Sequence, residues 1–445
     1  MTRHFPLLFI ALGLVALVLG SFIGLLISFT YLDATFLKEI IPFNQLRPLH
    51  TTTVVSWIVL GATGGVYYYL SQIKNITIYA PKLGFFHFIL FALTGVAIYI
   101  SLLSGRMGGR EYLEYFPLLT IPILVGWILF GFNYFKSLFG KIKNRPVYLW
   151  MWGTGIVFMV YHLSEAHFWI FSDIRSDFIK DMGIQWKSYG SFFGSWNMLI
   201  YGTAIYLMSK IKKDENVARG KTVFFFYFLG LTNLMFGWAH HTYILPNADW
   251  IRYVAYVISM TEWIILIHII YAWAKSLSKA QKKENSMAYR FLMASEFWVF
   301  VNLILALLMS IPALNYYMHG THITVAHSMG TTIGINTCIL LASVSYIVKI
   351  ISGPLTSKTG YYGFILFNIS LAVFWLSLVI GGVYKAVWMS NPENLSFSTL
   401  HSESTPIFWL FFLSGCALFI GITMISAPLL KRLYNHMKLS KEQSN

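Results

Sequence analysis

The sequence predicts an all-α, polytopic membrane protein of about twelve transmembrane helices. Three observations carry that prediction: an apolar composition, regularly recurring apolar runs, and cations confined largely to alternate loops. Of 445 residues, 57% are hydrophobic and only 11% charged, and the mean hydropathy is +0.64. A water-soluble chain of this length does not need that much apolar material for its core. A hydrocarbon core of about 30 Å takes about 20 apolar residues per helix. Runs of that kind lie near residues 8–31, 50–71, 83–104, 116–135, 148–171, 188–209, 222–242, 251–274, 291–313, 320–348, 361–384 and 406–430.

The first run follows only six residues, exceeds the apolar region of a signal peptide and has no small-residue cleavage pattern behind it, so a retained anchor is expected. The loops are short, the longest outer ones being 172–187 and 385–405, and no repeat or low-complexity stretch divides the chain. Residues 1–445 therefore read as a single integral-membrane domain. Aromatic residues make up 18% of the chain, and several sit at run ends, among them Tyr67, Tyr68, Tyr69, Trp150, Trp152 and Trp186, as an interfacial belt requires.

A formal charge of +15 raises the question of nucleic acid, and the positions of the cations answer it. Of 32 Lys and Arg, 23 fall on one side of the predicted spans and 9 on the other. The richer side holds Lys136, Lys141, Lys143 and Arg145, and the clusters around Lys212 and Lys282. That is the positive-inside pattern, which puts both termini in the cytoplasm, makes the lipid bilayer the partner and leaves nucleic-acid binding without support. Cys338 and Cys416 lie far apart within apolar runs and have neither metal-site nor disulfide spacing, so both read as buried small residues.

Ionisable groups inside spans are costly and mark candidate functional sites. With the orientation above, His50 opens the second span at the outer face and His240 and His241 close the seventh there. Glu262 lies about three turns into the eighth span and His327 about two turns into the tenth, all in the outer half at about 1.5 Å per residue. A shared depth reached from four helices is what a cofactor layer needs. Consecutive residues differ by about 100° around a helix, so His240 and His241 can meet one ion only at a frayed helix end. Gly237 before them and Pro246 after them permit that. An imidazole pair suits iron, copper or zinc, and haem iron also takes axial His. His327 and Met329 lie about 200° apart, so their helix can stand between two haem planes and ligate one from each face.

Three segments carry a family resemblance: Ile41-Pro42-Phe43-Asn44 leading to His50-Thr51, Phe236-Gly237-Trp238-Ala239-His240-His241, and Asn315-Tyr316-Tyr317-Met318-His319-Gly320-Thr321 leading to His327. With Gly109-Arg110-Glu111-Tyr112-Leu113-Glu114 in an outer loop, they resemble the catalytic subunit of cytochrome c-dependent nitric oxide reductase, a branch of the haem-copper oxidase superfamily. The resemblance spans essentially the whole chain. It implies a low-spin haem b that passes electrons to a centre of high-spin haem b and non-haem iron, where two NO become N2O and water. It makes His50 an axial ligand of the low-spin haem and His327 the proximal ligand of the high-spin haem. His240, His241 and Glu262 become the non-haem iron ligands. Arg110 and Glu111 resemble the loop that meets haem propionates and a calcium ion.

Three positions depart from the family pattern. Tyr189 stands where a third iron His is expected, Phe193 where a glutamate near that iron is expected, and Met329 replaces a His as second axial ligand of the low-spin haem. His and Met together ligate haem and raise its potential. Two His and one carboxylate still make the three-ligand arrangement of non-haem iron enzymes. Tyr189 is a candidate to ligate or to hydrogen-bond bound oxygen. The chain lacks Cys-x-x-Cys-His, so the resemblance implies a membrane-anchored c-type cytochrome subunit as electron donor, a small gaseous substrate, and the bacterial plasma membrane. An oxygen-reducing subunit with copper, and a haem-binding electron-transfer subunit without a second metal, stay open beside NO reduction. The segment from Tyr161 to His167 places His162 and Glu165 on one helix face, read as a polar network or a proton path.

Overall fold

The computed structural model describes residues 4–141, 145–259, 263–354, 357–391 and 396–442. Among them the regular structure is helical, with a single isolated antiparallel bridge between Met107 and Tyr115. The helices are α1 (Phe5–Phe29), α2 (Phe43–Gln72), α3 (Pro81–Leu103), α4 (Thr120–Leu138), α5 (Val147–Glu165), α6 (Phe178–Lys212) and α7 (Lys221–Phe236). They continue as α8 (Asp249–Ser259), α9 (Trp263–Ser276), α10 (Ser286–Ser310), α11 (His322–Met329), α12 (Cys338–Ser352), α13 (Lys358–Ser390) and α14 (Phe397–Glu442). Nine stretches among the described residues are long and apolar enough to cross a membrane. The remaining predicted spans fall on α5, on α6 and on the α8 and α9 pair.

Two helices run well beyond their apolar runs. α6 begins ten residues early because Asp177 caps it, its carboxylate accepting from the amides of Ile179 and Lys180 at 3.0 and 3.2 Å. Much of the expected outer loop 172–187 is therefore helix. α14 likewise absorbs the end of loop 385–405, with Pro406 and Pro428 inside it. In the other direction α5 stops at Glu165 and α7 at Phe236, each followed by a 3-10 stretch.

α2 and α12 are buried most deeply, as central helices must be. The Trp57 indole donates to the Thr337 hydroxyl at 3.0 Å, and Tyr69 pairs with the Ser343 hydroxyl at 2.8 Å. Between α11 and α12 the chain winds as a π-helix, Gly330–Thr337. Cys338 is buried as expected, whereas Cys416 is only half-buried because its face of α14 lies at the edge of the bundle.

Candidate functional site

His50 sits in the first turns of α2 against α1. Its Nδ1–H donates to the Gly20 carbonyl at 2.8 Å, which fixes the tautomer and leaves Nε2 as the free donor nitrogen. A Cβ on Gly24 would lie 2.6 Å from His50 Cε1, so only glycine admits the ring there. The contacts of Trp57 with Thr337 and of Gly61 with Leu340 set the register between α2 and the π-helix and α12.

The pair His240 and His241 lies, as the sequence requires, beyond the end of a helix. α7 stops at Phe236, and Gly237–Thr242 forms a 3-10 turn. A Cβ on Gly237 would come within 1.8 Å of the Asn233 amide oxygen, so glycine leaves room for the Asn233 side chain against the turn. The two imidazoles are 4.1 Å apart between centroids. Trp186 stacks on His241 at 5.7 Å and 14°, and the Asn315 amide donates to the His240 carbonyl at 3.2 Å. Electrostatic coupling links His240, His241, His319 and His327 into one neighbourhood. Nδ1 of His240 and Nδ1 of His327 are buried without a hydrogen-bond partner. His50, His240, His241, His327 and Met329 are each partly buried. This donor set fits haem and a transition metal.

Glu262 lies outside the described residues. Among the described residues no three His, Cys, Asp or Glu converge closely enough to hold a metal ion. Tyr189 is buried, its hydroxyl has no partner, and its ring contacts Tyr112 at 5.9 Å. Phe193 lies on the same face, 5.6 Å from Tyr112. The α6 face toward the His pair carries Gly190, whose Cβ would meet Trp238 at 2.6 Å and His241 at 3.7 Å. Tyr189 therefore neighbours the outer loop, one step around the helix from the His pair.

That loop is a set of ion pairs. Arg47 bonds Glu111 and also bridges to Glu114 at 3.2 Å. Arg110 pairs with Asp181, and its guanidinium lies 5.0 Å over Trp169. Burial pushes the Glu114 carboxyl above the usual carboxylate range even beside Arg47. A calcium ion takes about six to eight oxygen ligands, whereas here the loop carboxylates already share a guanidinium, so the loop alone does not make the calcium site that the resemblance implies. Arg47 and Asp181 were not singled out from the sequence, where Trp186 read only as an interfacial aromatic and Asn315 only as the start of a segment. Arg47 lies three residues before His50 and Asn315 opens the segment that leads to His327, but no spacing rule pairs either with its partner.

His162 and Glu165 do form a network. His162 Nδ1 lies 2.9 Å from Glu165 Oε2, and Lys187 from α6 bonds Oε1. His167 donates to the Leu163 carbonyl at 2.9 Å and accepts from Thr120 at 2.8 Å. His322 packs on Tyr31 and Phe408, and His87 is boxed by Phe9, Phe91 and Tyr67.

An all-helical bundle with histidines from several helices gathered at one end defines a class of membrane oxidoreductase. Comparison with protein families matches residues 5–417 to cytochrome C and quinol oxidase polypeptide I, and the chain belongs to that family. It is 21% identical to a nitric oxide reductase subunit of Stutzerimonas stutzeri, over 90% of this chain and 88% of that one. It is 24% identical to the Cbb3-type cytochrome c oxidase subunit CcoN1 of the same organism, over 95% and 92%. Cytochrome c oxidase subunit 1 of Rhodobacter capsulatus is 23% identical, over 85% and 72%. Among solved structures, a heme-copper terminal oxidase dimer studied by cryo-EM superposes with a TM-score of 0.79 at 15% identity, over 97% of this chain and 84% of that one. That likeness shows the fold.

Proposed function

We propose that this chain is the catalytic subunit of a respiratory terminal reductase that converts nitric oxide to nitrous oxide. In this reading His50 and Met329 hold a low-spin haem b and His327 a high-spin haem b. His240, His241 and Glu262 hold a non-haem iron. A membrane-anchored c-type cytochrome supplies electrons from the outer side. The charge asymmetry supports both termini in the cytoplasm of a bacterium, with the chain in its plasma membrane.

The observation that carries the reading is the closeness of His327 to the His240 and His241 pair, with Met329 two residues on and so about 200° around the same helix. Glu262 follows His240 by 22 residues, and iron accepts carboxylate oxygen more readily than copper does. Bound haem and iron would supply the electrons and the coordination positions at which two NO join. The balanced reaction takes two NO, two electrons and two protons to N2O and water. The chain's own part is to fix the imidazole tautomers, to hold the donors in place, and to bring protons in. Asn315 and Trp186 hold the His pair in position through its backbone and one ring face.

Oxygen reduction is the second reading. It is favoured by the buried, unpartnered Tyr189 hydroxyl and by the two oxidases among the relatives. A haem-binding electron-transfer subunit without second metal is the third, favoured by Tyr189 standing where a third iron His is expected. Metal and pigment content of the purified protein with its partner separates them. Two b haems with one further iron and NO consumption support the first; one copper with oxygen consumption replaces it by the second. Two haems and no other metal support the third, and a preparation without haem overturns all three.

A further inference from the structure

The cluster at the end of α5 goes beyond the donor layer. Burial increases along it: the Lys187 side chain is 25% exposed, Glu165 10% and His162 3%. The Glu165 carboxylate is shared, one oxygen to Lys187 and the other to His162 Nδ1 at 2.9 Å. On the inner side His162 Nε2 is buried and has no partner. A buried imidazole that bonds a carboxylate on one nitrogen and leaves the other bare is costly as packing alone, but suits transfer of a proton from one ring nitrogen to the other side.

The facing helix continues the line. Gly155 packs on the Ser195 carbonyl, and the Trp152 indole donates to Leu199 at 3.1 Å. With the Lys187 to Glu165 pair, these set an antiparallel register that puts His162 opposite Ser188. Ser188, Ser191 and Ser195 are fully buried at 0% exposure and recur at helical spacing on α6. Each hydroxyl donates to a backbone carbonyl and keeps lone pairs free. Ser191 bonds the Leu234 carbonyl on α7 at 2.8 Å, just before the 3-10 turn that bears the His pair. Its neighbour Gly190 packs against Trp238 beside His241.

We propose that Lys187, Glu165 and His162 form a proton entry relay that feeds the serine row of α6 toward the His240 and His241 turn. This rests on the reading of the chain as a reductase that consumes protons. Glu165, protonated from the water side by Lys187, passes its proton to Nδ1 of His162 in the Nε2–H tautomer while Nε2–H releases one inward. One proton crosses the ring, which leaves Glu165 ionised and His162 in its Nδ1–H tautomer; water reprotonates Lys187, rotation of the ring or proton exchange restores the Nε2–H tautomer for the next proton, and water completes the steps between hydroxyls.

The test compares wild type with Glu165→Gln, His162→Phe and the conservative Glu165→Asp, all as the complex with the electron-donor subunit. A pH dye in weak buffer follows proton uptake on reduction by dithionite, and NO consumption is measured in parallel. The relay predicts unchanged haem content and uptake slowed at least about tenfold in Glu165→Gln and His162→Phe, with most of the rate kept in Glu165→Asp, as expected for a positioned acid-base group. Uptake within twofold of wild type in both variants overturns the relay, whether or not NO is consumed. Slowed uptake in a wild-type background that consumes no NO keeps the relay and overturns the reductase reading.

Discussion

The His50 position and the His240/His241 turn hold imidazoles in opposite ways. His50 stands on an unbroken helix, its ring pressed onto Gly24 and its Nδ1–H given to Gly20, with α2 locked to the π-helix by Trp57 and Thr337. The pair sits beyond a helix end, held by the Gly237 turn, the Trp186 face and the Asn315 amide. One donor is fixed by regular packing and the other two by a break in it. On the proposed assignment, a ligand on a continuous helix tolerates a change of its partner, with Met329 in place of a His. A site on a broken end depends on several local contacts at once.

Substitutions break or sharpen this contrast. His50→Ala should abolish the low-spin haem signal in the visible spectrum while leaving a second haem, because no other described donor shares its place; retention of both signals contradicts the assignment. His241→Ala should leave the low-spin spectrum intact and lower NO turnover about a hundredfold, the upper range for losing a group at a metal site, as read by NO electrode. Gly24→Ala should displace the His50 ring and cost about 1–3 kcal/mol, seen as a shifted low-spin band and a lower thermal midpoint. Trp186→Ala removes stacking of about 0.5–1.5 kcal/mol, so turnover should fall by no more than about tenfold, with haem content unchanged.

The smallest effect is expected at the opposite end of the bundle. Glu284 is held below the usual carboxylate range by its bonds to Lys349 and then Lys213. A depressed carboxyl adds stability above its ordinary range and loses it as pH falls through the folded value. Glu284→Gln should therefore cost under about 1 kcal/mol at neutral pH, and the gap to wild type should close in acid when thermal midpoints are compared.

The helices were legible because hydrocarbon demands long apolar runs, and the closeness of His327 to the His240 and His241 pair agrees with the common depth read for them. The helix break at Gly237 was legible too, since adjacent His cannot share an ion on an intact helix. The early start of α6 was not, because Asp177 acts as a cap outside any apolar run. Nor was the pairing of Arg47 with Glu111 and Glu114, which joins residues more than sixty positions apart through side chains alone. The facing of Tyr189 was hidden for a related reason: a single step around a helix separates the loop side from the His side, and the sequence pattern does not resolve that step.

The π-helix Gly330–Thr337 begins directly after Met329. Its wider turns hold more residues each than those on either side, so the tip bearing His327 and Met329 is out of phase with the stem that anchors it in the core. Tip and stem therefore answer to separate demands. On the proposed haem ligation, the donor atom at position 329 can be exchanged without repacking the membrane-embedded half below, which makes this short segment a place to retune electron affinity at little risk to assembly.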